Sequence, residues 1–234
     1  MDKQKRIAYK LYREKTINRI QKKVLLLGLD NQINPYIFLN TRFLIAIFIF
    51  LVSLFAFKYG YIIAPIISVL FYILFEIMIL DLKIKRRAKK LEDEAIFFFE
   101  ILGLTLESNK HLKGALELTT RNIDSELSSE FKKSLEEIKL GKSFTECLIS
   151  MKDRIPSDSI NSIILNLTES SIFGNNITET LNNQLDYLRD KKLLSVKAEI
   201  NKLPTKISVI SVLFFVPLML LIILAPVLLE FLLN

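Results

Sequence analysis

The run "RFLIAIFIFLVSLFAFKYGYIIAPIISVLFYILFEIMIL", residues 42–80, holds two apolar segments separated by a three-residue turn. The first, residues 43–57, has fifteen uncharged residues between Arg42 and Lys58, whose long side chains can reach the lipid headgroups and lengthen the span. The second, residues 61–80, carries Glu76 as its one charged residue. Since roughly 20 apolar residues cross a bilayer, the run predicts a hairpin of two membrane-spanning helices.

A third apolar run, "ISVISVLFFVPLMLLIILAPVLL", lies at residues 207–229. Hydrophobic residues make up 51% of the 234-residue chain, more than a soluble domain usually carries, and the three runs hold the excess. The sequence therefore predicts three transmembrane helices and excludes a single soluble domain.

The distribution of lysine and arginine predicts the orientation of these spans. Residues 1–42 carry ten Lys/Arg against three Asp/Glu, and residues 81–90 ("DLKIKRRAKK") carry six Lys/Arg. Lys197, Lys202 and Lys206 precede the third span, whereas the tail "EFLLN" has no cation. Because cations near span ends stay in the cytoplasm, we expect a multi-pass protein of the cytoplasmic (inner) membrane, with its N-terminus cytoplasmic and its C-terminus external. No signal peptide is predicted, because the apolar run begins only after residue 42.

The segment between the second and third spans, residues 81–206, is predicted to be a helical bundle in the cytoplasm. Apolar residues recur there at helical spacing, as in Leu91, Ala95, Phe98 and Leu102, and no stretch alternates at period two. Its 21 Lys/Arg and 20 Asp/Glu are interspersed, which argues against a nucleic-acid-binding face. An antiparallel bundle of about six helices is expected, near residues 84–107, 111–121, 125–140, 143–153, 157–173 and 176–203.

The predicted fold class is therefore an all-α membrane protein with four parts. These are a basic amphipathic N-terminal segment (1–40), a transmembrane hairpin (41–80), the cytoplasmic bundle (81–206) and a C-terminal transmembrane helix (207–234).

Gly141-Lys142-Ser143 matches the end of the phosphate-binding loop of nucleotide hydrolases. Such a loop needs a second glycine at position 136, where this chain has glutamate, and a preceding strand, where the pattern predicts a helix. We therefore interpret Gly141 as a left-handed helix cap, followed by a capping box of Ser143 and Glu146.

Three turns of the predicted bundle share one pattern. Asn109, Gly141 and Gly174 open them at intervals of 32 and 33 residues, and an apolar residue follows three positions after each. A repeated helical hairpin or shared cap chemistry explains this spacing.

Neither the cysteine nor the histidine indicates catalysis. Cys147 is the only cysteine and lies among apolar residues, and His111, the only histidine, lies in a polar turn. Nucleophilic and metal sites need more such groups than the chain has. The sequence predicts no enzyme, no cofactor and no metal.

A helix ending before "LKGALEL", followed by "EEIKLGKSFTECL", "SSIFGNNITETL" and "AEINKLPTK", resembles the type II secretion system F domain. The preceding two-span hairpin is similar to the platform proteins of tight-adherence (Tad-type) pili within that family. The turns at Gly141 and Gly174 and the "KLPTK" sequence are the most specific parts. The family usually has a glycine in the first turn, where this chain has Asn109, a residue that tolerates left-handed geometry.

This resemblance implies a non-enzymatic inner-membrane platform for pilus assembly or type II-like secretion. Such platforms connect a hexameric secretion ATPase to the pilin subunits drawn from the bilayer, so the nucleotide chemistry belongs to the partner. The implied partners are that ATPase, pilins, the lipid bilayer, and a second platform protein or another copy of the chain; nucleic acid is not expected.

Two other functions fit the sequence less well. A transporter or channel subunit would place paired polar groups and broken helices at mid-membrane, but Glu76 is the one charged residue inside a span, expected near the interface or paired with a neighbouring helix. A membrane signalling protein would use His111 as its phosphoacceptor and would need an ATP-binding domain, which the sequence does not show.

Two features have alternative interpretations. The N-terminal segment has nine cations between residues 3 and 23 and apolar residues near helical spacing, so it lies on the anionic inner leaflet or docks on an acidic partner. Phe97, Phe98 and Phe99 exceed what one helix face buries, so they meet another subunit or are surrounded within the bundle.

Pro204 marks the junction between the bundle and the last span. It cannot donate a backbone hydrogen bond, and Lys202 and Lys206 flank it, so the helix is expected to break at the level of the lipid headgroups. The break acts as a hinge under load or is a plain boundary between two helices.

Overall fold

The computed structural model describes residues 3–29, 33–56, 59–108, 111–173 and 176–233. Every regular element in these ranges is a helix and no strand occurs in them, which confirms the all-α prediction. The helices are α1 (Lys3–Leu11), α2 (Glu14–Leu25), α3 (Pro35–Ala56), α4 (Gly60–Glu76), a π-helical segment (Ile77–Asp81), α5 (Leu82–Ser108), α6 (Leu112–Asn122), α7 (Glu126–Lys139), α8 (Phe144–Lys152), α9 (Asp158–Phe173), α10 (Ile177–Asn201) and α11 (Leu203–Leu233).

Two compact units divide the chain, residues 1–185 and 186–234. Helices α1 to α9 and the first part of α10 belong to the first unit, and the remainder of α10 and all of α11 belong to the second.

Three helical stretches are long and apolar enough to cross a membrane, as predicted. They lie within Pro35–Ala56, Gly60–Ser108 and Ile177–Pro226. The first two form the hairpin of α3 and α4, where the small buried residues Ala46 and Ala64 let helices pack closely. The Ser68 hydroxyl donates a hydrogen bond to the Ala46 carbonyl at 3.1 Å, which satisfies a polar group inside the apolar hairpin.

The helix α4 continues into α5 through the π-helical segment without a turn. Together they form a stretch of 49 residues from Gly60 to Ser108. At about 1.5 Å per residue this is a rod of roughly 70 Å. Neither glycine nor proline occurs between residues 66 and 102, so nothing in that sequence stops the helix. The predicted helix start near residue 84 is therefore a point inside a continuous helical rod.

Aromatic rings form the centre of the bundle in the first unit. The ring of Phe98 stacks on Phe131 with centroids 4.8 Å apart, and Phe99 meets Phe98 edge-on at 5.5 Å. The apolar face of α5 continues with Leu91, Ala95 and other fully buried residues. Helices α5 to α10 lie within a few residues of the six predicted positions.

The three phenylalanines of α5 divide between two environments. Phe98 and Phe99 are fully buried in their own unit, whereas Phe97 is 58% exposed. Phe98 and Phe99 therefore follow the alternative in which the bundle itself surrounds them, because α6, α7 and α9 contact α5 and these two rings have no exposed surface left. Phe97 alone keeps a side chain that another subunit can contact.

The amphipathic helix α2 packs on the hairpin of its own chain. Its apolar residues Ile17 and Ile20 are fully buried in one cluster with Phe38, Leu39 and Leu80. The apolar face of α2 thus packs on the chain's own hairpin, a surface that neither of the two alternatives for the N-terminal segment named.

In the second unit, α10 ends at Asn201 and α11 begins at Leu203, with a single turn residue, Lys202, between them. Pro204 is the second residue of α11. The large apolar side chains of α11 from Ile207 to Leu224 are exposed, which suits a helix surrounded by lipid or by other membrane helices.

Candidate functional site: two ion clusters at the N-terminal helices

The carboxylate of Glu76, in the last turn of α4, gathers three cations from other helices. It accepts hydrogen bonds from Arg42 at 2.6 Å, from Lys23 at 2.8 Å and from Arg19 at 3.1 Å. Lys23 also pairs with Asp81 at 2.6 Å. These five residues are called the Glu76 cluster, and they connect α2, α3, α4 and the π-helical segment.

Arg42 is the most deeply buried cation of the Glu76 cluster, with 3% of its side chain exposed. Its Nε donates to the Tyr72 carbonyl at 2.9 Å, and its guanidinium lies 3.6 Å from the centre of the Tyr72 ring. Two nitrogens of the guanidinium and one of its faces are therefore engaged, which a buried charge requires because losing a partner costs several kcal/mol.

The π-helical segment places Asp81 within reach of Lys23. A π turn holds one residue more than an α turn, so it changes the direction in which the following side chains point. Burial acts to lower the pKa of Lys23, but hydrogen bonds to Asp81 and Glu76 outweigh burial and raise that pKa. Lys23 therefore stays protonated throughout the physiological pH range.

A second cluster lies where α5, α7 and the end of α8 meet. Arg87 is 7% exposed, and it donates to Glu126 at 2.5 Å and to Glu130 at 2.8 Å. Glu130 is 1% exposed and also accepts from Arg154 at 2.9 Å, while Lys90 pairs with Glu126 at 2.9 Å. These five residues are called the Arg87 cluster.

Arg87 also holds the chain that follows α2. Its Nη1 donates to the carbonyl oxygens of Leu26 at 2.8 Å and of Arg154 at 2.6 Å. Gly28, two residues after Leu26, has a φ of 97° and lies so close that a Cβ there would be 2.7 Å from Arg87 Nε. Only glycine offers both the left-handed backbone and the space.

Burial acts to raise the pKa of Glu126, but hydrogen bonds from Lys90 and Arg87 prevail and lower it. The carboxylate is therefore ionised at neutral pH, as its pairing with two cations requires.

Together the two clusters attach the N-terminal helices at two places along the α4–α5 rod. The Glu76 cluster holds α2 against the hairpin, and the Arg87 cluster holds the end of α2 against the bundle. Such a double attachment restrains α2 against both the hairpin and the bundle, because each contact is a network of short, charge-assisted hydrogen bonds.

Of the three predicted turn residues of the bundle, the structure describes Gly141. Gly141 has a φ of 99°, in the left-handed region, and Ser143 forms the predicted capping box with Glu146. Asn109 and Gly174 lie outside the residues that the structure describes. Lys142 is exposed and pairs with Glu137 at 2.7 Å.

The remaining predicted residues carry no reactive chemistry. Cys147 is fully buried, and burial raises its pKa, so its thiol is unreactive. His111 precedes α6 at an exposed position. Lys202 and Lys206 are exposed on either side of Pro204, and the Lys206 N–H donates to the Lys202 carbonyl at 3.1 Å. Within the described part of the chain, no group of three His, Cys, Asp or Glu residues is arranged to hold a metal.

The sequence predicts Glu76 near the interface or paired with a neighbouring helix, and the structure shows it paired with Arg42 of α3 and with Lys23 and Arg19 of α2. The sequence does not identify these cations, because the position of Arg42 at the start of an apolar run is equally typical of a residue that reaches the headgroups. Arg87 is one of six cations within residues 81–90, and nothing in that sequence distinguishes it from the other five.

The fold and these clusters define a class: an all-helical protein with three candidate membrane spans, in which buried charges serve attachment between helices. The family model "Type II secretion system (T2SS), protein F" matches residues 98–225, more than half of the chain. The chain belongs to this family. No curated protein and no solved structure shows a significant match. Membership suggests an inner-membrane platform for a secretion or pilus system.

Proposed function

We propose that the chain is a non-enzymatic platform protein that couples a cytoplasmic hexameric secretion ATPase to the assembly of pilin subunits. The observation that carries this proposal is the family match over residues 98–225 in a chain with three candidate spans. The two-span hairpin ahead of the matched region favours the tight-adherence (Tad-type) form of such a platform.

The proposed arrangement places the bundle in the cytoplasm. Residues 1–42 and 81–90 are strongly basic, and both flank the hairpin at the same end, which supports a cytoplasmic N-terminus and an external C-terminus in the inner membrane. The bundle can then meet the ATPase while the hairpin and α11 meet pilins in the bilayer.

A physical route for force supports this role. A movement of the bundle passes into the hairpin along the α4–α5 rod, which has no turn from Gly60 to Ser108. The two ion clusters brace the rod through α2, so the hairpin cannot rotate freely against the bundle. A solute transporter is less well supported, because the carboxylate of Glu76 is fully engaged by cations of the chain itself.

The test is co-purification from native membranes in a mild detergent, with an affinity tag after Asn234 and mass spectrometry of the retained proteins. We expect a hexameric ATPase, pilin subunits and either a second platform protein or further copies of the chain. An equally expressed, identically tagged three-span membrane protein from the same cells serves as the control. Recovery of neither ATPase nor pilin above that control would contradict the platform role.

A further inference from the structure

An apolar groove runs along one side of the hairpin between α3 and α4. Its volume is about 330 Å³, and Phe43, Phe50, Ser68, Val69, Tyr72 and Tyr12 are among the residues that line it. The stretch from Phe43 to Phe50 advances roughly 10 Å along α3, less than the thickness of one leaflet of the hydrocarbon core. The Ser68 hydroxyl already donates its hydrogen bond to the Ala46 carbonyl, so the wall of the groove is apolar there.

One end of the groove is bordered by the corner between α1 and α2. Tyr12 stands there, with its hydroxyl donating to the Leu39 carbonyl at 3.0 Å. Lys10 and Arg13 flank Tyr12 in the chain; both are exposed, and neither forms an ion pair with another described residue. In contrast, the charge of Arg42 is used by Glu76. Two available cations therefore lie within two residues of Tyr12, the lining residue at the polar end of the groove.

We propose that this groove binds one acyl chain of an anionic phospholipid, with the phosphate of its headgroup at Lys10 and Arg13. The anionic leaflet faces these cations in the orientation given above, so the inference rests on the proposed function for its topology.

The length of the groove favours an acyl chain over a partner helix. The groove is roughly 10 Å long, which fits within the roughly 15 Å of hydrocarbon that one acyl chain crosses in its leaflet. A membrane-spanning partner helix is roughly 30 Å long and would extend well beyond the groove.

The charges, rather than the apolar wall, give the site its selectivity. Lipid tails are as apolar as the groove, so a chain gains little by leaving bulk lipid for it. Each cation near an anionic headgroup is worth roughly a fivefold preference, so Lys10 and Arg13 together give roughly a 25-fold preference over a zwitterionic lipid.

The test counts lipids bound to the purified full-length chain by native mass spectrometry. The chain is delipidated in detergent and then offered phosphatidylglycerol or phosphatidylcholine of identical acyl chains. We expect one retained phosphatidylglycerol per chain and at least a tenfold preference over phosphatidylcholine. The double variant Lys10→Gln/Arg13→Gln should lose that preference, whereas Lys113→Gln/Lys132→Gln, which removes two exposed cations of the bundle, should keep it.

A matched pair of substitutions tests the groove itself. Val69 lines the groove and is 59% exposed; Leu70, next to it and 56% exposed, is not among the lining residues. Val69→Trp should fill the groove and lower the amount of retained lipid, and Leu70→Trp should leave that amount unchanged. Because both side chains are exposed, neither change disturbs the core of the hairpin.

Three results would overturn the lipid site: equal retention of the two lipids, equal behaviour of the two tryptophan variants, or a dimer of the chain that Val69→Trp dissociates. The last result would assign the groove to a second copy. None of these measurements involves the ATPase or pilins, so failure of the lipid site leaves the platform role to be judged by co-purification alone.

Discussion

At the scale of single residues, Arg42 and Glu76 show how the chain keeps two charges at the edge of an apolar hairpin. Each neutralises the other at 2.6 Å, and both are nearly buried, with 3% and 9% of their side chains exposed. Removing one partner leaves the other charge buried with fewer compensating contacts. Of the changes that can be made to a buried ion pair, this one lowers the stability of the fold most.

We therefore expect Arg42→Met to lower the free energy of unfolding by roughly 2–3 kcal/mol. Lys23 still contacts Glu76 in that variant, which limits the loss. The double variant Arg42→Met/Glu76→Met should lose less than the sum of its two single variants, because it leaves no uncompensated charge from the pair. Denaturant unfolding of the full chain in detergent measures all three. Additive losses would show that the pair is not energetically coupled; Arg121→Met, at an exposed site, is the control.

Two glycines have nearly equal φ values but different surroundings, so substitutions at them distinguish the effect of backbone strain from that of steric crowding. Gly28 has a φ of 97° and Gly141 of 99°, but a Cβ on Gly141 would meet nothing within 4 Å, whereas one on Gly28 would meet Arg87. Gly141→Ala should cost roughly 1–2 kcal/mol from the left-handed backbone alone. Gly28→Ala should cost more, because Arg87 is held by four hydrogen bonds and cannot move aside freely. Equal melting temperatures of the two variants would show that Arg87 is not fixed.

The Glu126 carboxylate makes stability depend on pH in a definite direction. Its pKa is lowered in the folded protein, so its contribution to stability is present above the pKa of the unfolded chain and is lost as pH falls through the folded pKa. We expect Glu126→Gln to melt below the wild type at pH 7, and the difference to shrink as the pH is lowered below the ordinary range of a glutamate. Thermal melts from pH 7 to pH 3 check this. Glu169→Gln, at an exposed site, should show no such convergence.

At the scale of elements, caps and breakers explain why the helix boundaries of the bundle were predictable. Ser143 with Glu146 starts α8, and Gly141 ends the preceding segment in left-handed geometry. These are local chemical signals, so they can be read from a few residues of sequence. For the charged residues of the bundle, the sequence predicts exposure to solvent. Which of these cations is buried instead depends on which helix packs over it, and that is a tertiary property.

The π-helical segment and the docking of α2 were not predictable in the same way. A π turn has no residue pattern of its own. The sequence "IMILD" is therefore equally compatible with a π-helical and with an α-helical turn. The face of α2 was visible as an amphipathic pattern, but that pattern is equally compatible with a lipid surface and with a protein surface. Only the cluster of Ile17 and Ile20 with Leu80 decides between them.

The junction between α10 and α11 tests whether a helix break has a function. Pro204 stands in the first turn of α11, where its missing N–H costs nothing. Pro204→Ala supplies an N–H that can bond the Ile200 carbonyl, so α10 and α11 can fuse into one helix. If the break acts as a hinge, the variant should keep normal protein levels and ATPase co-purification but carry fewer surface filaments. Pro217→Ala, inside α11, is the matched control. Normal filament numbers would rule out the hinge.

At the scale of the whole molecule, the order of the parts along the chain explains how a platform could connect a motor to a membrane. Two spans come first, the matched family region follows, and a last apolar helix closes the described chain. The α4–α5 rod joins the hairpin to the bundle covalently and without a flexible linker, and α10 leads to α11 through a single turn residue. Both ends of the bundle are therefore joined in the chain to apolar helices that are candidate membrane spans.

The orientation of the chain decides whether that bundle can meet a cytoplasmic motor at all, and it is open to a direct test. The positive-inside distribution predicts that the bundle is cytoplasmic and that the C-terminus is external, since the tail after the third span has no cation. A reporter enzyme active only outside the cytoplasm should work when fused after Asn234 and fail when inserted near Ser150, and a reporter active only in the cytoplasm should give the reverse pattern. Immunoblots of both fusions control for expression. External activity at Ser150 would place α8 on the wrong side of the membrane for an ATPase, and the three-span arrangement and the proposed coupling would then fail together.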